Sequence, residues 1–195
     1  MKKHVQNFFG EISKASSLIE LSKIDDFAKK LHDLRKRKGR LFFLGVGGGA
    51  GNCSHAVNDF RKLCNIESYC ITDNISELTA RINDEGWDTS FSESLKVSKL
   101  TKNDAIFILS VGGGDIKKKI SVNIVNAAKY AKKQGSIIFG VIGNNQGYIN
   151  KISNNVIVVP TFISNYKTPI VESFQVVIWH CLVSHPLLQK NKTKW

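Results

Sequence analysis

The stretch LFFLGVGGGAGNCSHAVNDFR, Leu41 to Arg61, decides the fold. A continuous apolar run opens it and predicts a buried strand; a cluster of glycines follows, and then a segment with helical spacing. Strand, tight turn and helix start is the arrangement in which glycines admit a ligand close to the backbone. Free N–H groups at the following helix N-terminus favour an anion there, a phosphate or a carboxylate. On the expected helix His55 and Asp59 stand four residues apart, so an imidazole and a carboxylate share one face with about 6 Å between their Cβ atoms. Alone, such a pair is a solvated or mutually bonded couple more often than a ligand set.

Outward from this stretch the pattern repeats. Before it, residues from about Lys3 to Lys38 carry apolar positions at helical spacing (Val5, Phe8, Ile12; Ile24, Phe27, Leu31, Leu34), broken near Ser22 and Asp25, which predicts two helices. After it come a short strand over Ser68 to Thr72, a helical turn over Asn74 to Ile82, a polar turn over Arg81 to Trp87 and a helix over Thr89 to Leu100. Ala105 to Leu109 predicts a third strand running into Ser110-Val111-Gly112-Gly113-Gly114-Asp115, with a helix from Ile116 to Gln134. Strands over Ser136 to Ile142 and Val156 to Val159 follow. A last helix from about Thr168 carries Glu172, Gln175 and His180 towards His185-Pro186, where proline stops it. Alternating strands and helices imply a five-stranded parallel sheet with helices on both faces, an α/β fold whose ligands bind beyond the carboxyl ends of the strands. One domain is expected over 1–195: N-terminal helices over 1–38, an α/β core over 40–186 and a basic tail over 187–195.

Composition narrows the class of function. Hydrophobic residues make up 42% and charged residues 23% of the 195, ordinary for a globular chain. The formal charge of +12 invites a nucleic-acid or anionic-membrane partner. Its distribution argues against both: the cations spread over the N-terminal helices, Arg35 to Lys38, Lys117 to Lys119 and the tail, with little of the aromatic interleaving that single-strand binders use. The four cysteines, Cys53, Cys64, Cys70 and Cys181, form no C-x-x-C pair, and no apolar run approaches the ~20 residues that cross a bilayer. A soluble, cytoplasmic protein with reduced thiols is expected, without a nucleic-acid or membrane partner.

Gly45-x-Gly47-x-x-Ala50, with Glu67 or Asp73 some twenty residues on, nearly satisfies a dinucleotide fingerprint. Against that alternative, such a fold needs no second glycine loop and gives His55 no role.

The glycine loop followed by His55-x-x-x-Asp59, the phrase Asn83-Asp84-x-Gly86-Trp87, and Glu172 eight residues before His180 together resemble the sugar isomerase domain family, and within it the phosphoheptose isomerases. The resemblance runs from the N-terminal helices to His185. It implies a three-layer, flavodoxin-like sheet, a homotetramer with sites shared between subunits, and a zinc cofactor in many members. Carried over by position, the metal set is His55, Asp59, Glu172 and His180, with Asp59 and His180 as the acid–base pair. Substrate contacts fall on Gly47, Gly48 and Gly49 of the first loop, on Asn83 and Asp84, on Ser110, Gly112 and Asp115 of the second loop, and on Glu172.

The chain departs from the family pattern at four of these places. The first loop lacks the family's polar side chains, and the second keeps only Ser110 of a serine- and threonine-rich turn. Asp59 stands for a glutamate, one methylene shorter, and Glu172 for a glutamine. Asp115 has its own explanation as the N-cap of the expected helix, where its carboxylate would repel a phosphate. The implied activity is aldose–ketose isomerisation of a sugar phosphate through an enediol, sedoheptulose 7-phosphate to D-glycero-D-manno-heptose 7-phosphate, serving surface-polysaccharide heptose synthesis. The alternative is a protein of the same fold that binds a sugar phosphate or nucleotide sugar without turnover or with altered specificity.

Overall fold

The computed structural model describes residues 2–153 and 155–193, so the last two positions of the expected basic tail lie outside the described residues. Among the described residues the chain forms α1 (Lys2–Leu18), α2 (Leu21–Lys36), β1 (Leu41–Gly45), α3 (Gly48–Cys64), β2 (Ser68–Cys70), α4 (Ile75–Glu85), α5 (Ser90–Val97), β3 (Ala105–Ser110), α6 (Val122–Lys133), β4 (Ile137–Ile142), α7 (Tyr148–Ile152), β5 (Val156–Val158) and α8 (Lys167–Val183). The five strands pair in parallel in the order β2-β1-β3-β4-β5. This is the flavodoxin-like order, and its connectivity reverses between β1 and β3, where ligands of such sheets bind.

Both faces of the sheet are covered, which is why its strands read as unbroken apolar runs instead of alternating ones. Successive side chains still point to opposite sides. Leu41, Phe43, Phe107, Leu109 and Phe139 pack with α2, α3 and α8. Phe42, Leu44, Ile106, Ile108 and Ile138 pack with α5 and α6 on the other face. Phe107 is the hub of the first layer, its ring centroid 5.1 Å from Phe43, 5.8 Å from Phe139 and 5.9 Å from Phe27 of α2. Helix α2 commits Ile24, Phe27, Ala28, Leu31 and Leu34 to this core.

Two polar clasps fix the ends of these elements. At the entrance to β1 and β3 the Asp104 carboxylate, nearly buried, accepts hydrogen bonds from Arg40 N, Nε and Nη2 and from Thr101 N and Oγ1 at 2.9–3.2 Å. At the same edge of the sheet Arg35 donates to the carbonyls of Cys64, Leu187 and Leu188, while the amides of Lys190 and Asn191 donate to Leu63 O. The C-terminal turn is thereby tied to the last turn of α3. No helix among the described residues is long and apolar enough to cross a membrane.

The structure corrects several expected elements. The helix expected from Ile116 begins at Val122. Gly113 and Gly114 adopt φ of +66° and +77° and turn the chain into a small hairpin, closed by reciprocal 2.9 Å bonds between Asp115 and Ile120. Asp115 therefore caps no helix; its Oδ1 accepts the Lys118 amide inside this turn. Asn83 and Asp84, expected in a turn, lie in the last turns of α4. That helix starts at Asn74, whose side chain accepts the Glu77 amide, and is braced by Arg81 bridging Glu77 and Glu85 at 2.8 and 3.3 Å. The two N-terminal helices part at residues 19–20 instead of near Ser22, the helix expected to reach Leu100 stops at Val97, and α7, pinned by the buried Ile149, has no counterpart in the expected pattern.

Phe107→Ala should lower the free energy of unfolding by about 3–5 kcal/mol in urea titrations, because the hub ring cannot be replaced by collapse of its neighbours. Burial would raise the Asp104 carboxyl, but hydrogen bonds from Arg40 and Thr101 outweigh it and hold it below the ordinary carboxylate value. The clasp should then add stability fully present above pH about 4 and lost as pH falls through the depressed folded value. Asp104→Asn should flatten that acid limb of the stability curve.

Candidate active site

The crevice at the β1/β3 switch point is made by the two glycine turns and by α8. At the end of β1, Gly47 takes φ +59° and starts α3 at once. Gly48 and Gly49 then occupy the first turn of α3 rather than a loop. A Cβ at Gly48 would lie 2.6 Å from Cδ and 2.7 Å from Oε1 of Glu172, so any side chain there would displace this carboxylate. The Glu172 carboxylate rests against the opening of α3.

Along α3, Cys53, Ala56, Val57 and Phe60 belong to the same buried cluster as Phe174, Ile178, Trp179 and Leu182 of α8. That packing carries His55 and Asp59 to His180. One ligand atom from each of these three residues lies within 4.8 Å of the others. Asp59 is 4% exposed. Its Oδ1 accepts from Asn58 Nδ2 at 2.9 Å, whereas Oδ2 is buried with no hydrogen-bond partner, 3.9 Å from His180 Nε2. His180 Nδ1 lies 3.0 Å from the Val176 carbonyl, which can only accept, so Nδ1 carries a proton and Nε2 is the atom left facing Asp59. When the ring is neutral, the buried carboxylate oxygen and the Nε2 lone pair are two acceptors without a donor, an arrangement that a cation or a substrate proton would relieve.

Two histidines and one carboxylate are also the donor set of catalytic zinc sites, which keep a further position open. These residues fit that metal, with Nδ1 of His180 already held by a backbone carbonyl, as metal-bound histidines commonly are. Trp179 packs over both rings, its centroid 3.6 Å from that of His180 and 4.7 Å, edge on, from that of His55. Burial raises the Cys53 thiol well above its usual range, so this neighbour is no competing thiolate nucleophile.

The other expected site residues separate. Glu172 is outside the three-residue group, directed to the first glycine turn. Gly49, Ser110, Gly112 and Glu172 line one cavity of about 250 Å³. Gly47 faces a different one with Trp87. Asp115 borders a third with Lys117 and Lys151. Asn83 and Asp84 are exposed on α4 and bonded to each other at 2.8 Å.

Three residues to which the sequence assigned no role also build the site. Asn52 Nδ2 donates to Gln175 Oε1 at 2.9 Å and to the Glu172 carbonyl at 3.0 Å, linking α3 to α8. Trp179 is the third. Gln175 follows Glu172 by one helical turn, and Asn52 precedes His55 by one; polar residues in step with candidate ligands are the signal that finds them.

No family model matches the chain. It is 26% identical over 202 residues to a phosphoheptose isomerase of Aneurinibacillus thermoaerophilus, covering 98% of this chain and 96% of that one. It is 27% identical over 188 residues to the lincomycin biosynthesis protein LmbN of Streptomyces lincolnensis, covering 93% of this chain and 68% of that protein. Among solved structures it superposes on the phosphoheptose isomerase GmhA of Neisseria gonorrhoeae with a TM-score of 0.79 at 20% identity, over 93% of this chain and 97% of that one. A phosphoheptose isomerase of Francisella tularensis gives 0.78 at 16% identity, over 93% of each chain. The α/β architecture is common to all three folds.

Zinc added to chelator-stripped protein is expected to change the emission of Trp179, read with Trp87 and Trp195 replaced by phenylalanine. His55→Ala and His180→Ala should each weaken the zinc midpoint by about tenfold or more.

Proposed function

We propose that this phosphoheptose isomerase-like chain is a sugar-phosphate isomerase, converting sedoheptulose 7-phosphate to D-glycero-D-manno-heptose 7-phosphate in the cytoplasm for surface-polysaccharide synthesis. The curated relatives carry the substrate class. The observation that carries the chemistry is the buried, donorless Oδ2 of Asp59 facing His180 Nε2.

In this reading Asp59 takes the proton from the carbon beside the carbonyl, and a carboxylate with one oxygen, Oδ2, buried and without a hydrogen bond suits that role. His180, fixed through Nδ1, moves the proton at the adjacent oxygens from Nε2, so that the enediol forms and collapses one carbon along. Aspartate reaches about 1.5 Å less far than glutamate, and the close packing of α3 on α8 supplies the missing approach. Zinc, if held by His55, Asp59 and His180 Nε2, would take up the lone pair of that nitrogen and would polarise the carbonyl in place of proton transfer by His180. Glu172, Gly48, Gly49, Ser110 and Gly112 are assigned to the substrate. The assembly is a homotetramer, and the reading rests here on the apolar side chains that α1 and its neighbours leave outside, Val5, Phe9 and Leu18 among them.

Purified protein incubated with sedoheptulose 7-phosphate, with and without zinc, should yield the aldose. Asp59→Asn and His180→Gln should each cut kcat by about a hundredfold or more at unchanged folding. Absence of conversion by the wild type under every metal condition would remove the isomerase reading.

A further inference from the structure

The cavity between the two glycine turns has a charge that does not suit a phosphate. Among the described residues its lining holds no lysine, arginine or histidine, and Glu172 is its one ionisable side chain. That carboxylate lies against Gly48, at the first turn of α3, where the helix dipole favours an anion. The chain's own carboxylate stands beside the anion's place. An incoming dianion would meet a negative charge at contact distance, with no cation among the cavity's described lining residues in this chain to offset it.

The remaining groups suit a different guest. Gln175 borders the cavity and is fully buried; Asn52 occupies its Oε1, and its Nε2 has no partner. Ser110, Ser121 and Thr168 add hydroxyls around it. A carboxylate that only accepts, an amide that needs an acceptor and hydroxyls that do both match an alcohol, which donates and accepts at one atom. The Asn52 amide holds both Gln175 Oε1 and the Glu172 carbonyl, so the pair is set before any ligand arrives.

We propose that this cavity receives the uncharged, hydroxyl-bearing part of the sugar and turns its phosphate away, and that Glu172 enforces the exclusion. The proposal rests on the sugar-phosphate reading of the site, but its test needs no turnover. Inorganic phosphate is titrated into isotope-labelled protein while the amides of Gly48, Gly49 and Gly112 are followed by NMR. In the wild type these signals should stay still, even if lysine amides such as those of Lys117 to Lys119 shift. In Glu172→Gln, isosteric and uncharged, they should move, with phosphate bound about tenfold tighter or more. Gln175→Leu should leave phosphate excluded and weaken binding of unphosphorylated sedoheptulose. Phosphate-dependent shifts of the three glycines in the wild type, or equal phosphate affinity in Glu172→Gln, would overturn the proposal. A wild type that excludes phosphate here yet isomerises no sugar phosphate would instead overturn the isomerase reading alone.

Discussion

The packing of α3 on α8 is the constraint on which the site depends. Neither helix carries a complete set of reactive groups: α3 supplies an imidazole and a carboxylate, α8 a second imidazole. They meet because Ala56, Phe60, Ile178 and Leu182 belong to one buried layer on the same face of the sheet. The glycines at the head of α3 serve this contact as much as any ligand. At Gly48 the space a side chain would take is filled by Glu172, and at Gly49 a Cβ would come within 2.5 Å of the Leu109 carbonyl at the end of β3. Small residues allow three elements to converge, and the crevice is what remains between them.

That convergence gives two neighbouring environments of opposite character. Around Asp59 and a neutral His180, two acceptors face each other and await a proton or a cation. Around Gln175, a buried donor awaits an acceptor beside a carboxylate. Burial makes each unmet demand energetically significant, since an unsatisfied polar group in the interior costs on the order of 1–3 kcal/mol. Groups held in this state are poised for a ligand whose polarity changes along its length, as that of a reacting sugar does.

Much of the architecture is written locally. Runs such as Leu41–Leu44 and Ala105–Leu109 are apolar throughout because a parallel sheet covered on both sides offers no wet face, and the glycine turn after β1 is visible for the same reason. His55, Asp59 and His180 stand out as residue types at helical intervals. What could not be read is set by tertiary context: after the second glycine run the sequence predicts a helix from Ile116, whereas the chain folds back in a hairpin closed by Asp115 and Ile120 before α6 starts. The direction of Glu172, towards a backbone instead of towards the histidines, depends on where α3 begins. The burial of one Asp59 oxygen depends on a helix more than half the chain away.

The clasp of Arg35 and of the 190–191 amides on the end of α3 has a consequence for how the protein comes into being on the ribosome. The turn that opens α3 emerges early, yet Asp59 meets His180 only when α8 has been synthesised, and the 190–191 amides that help to hold the far end of α3 follow α8. Nascent chains therefore expose an unfinished apolar face on α3 for most of translation. Competence arrives in one late step, so incomplete products carry the glycine turn and the sheet edge without the means to act on a sugar.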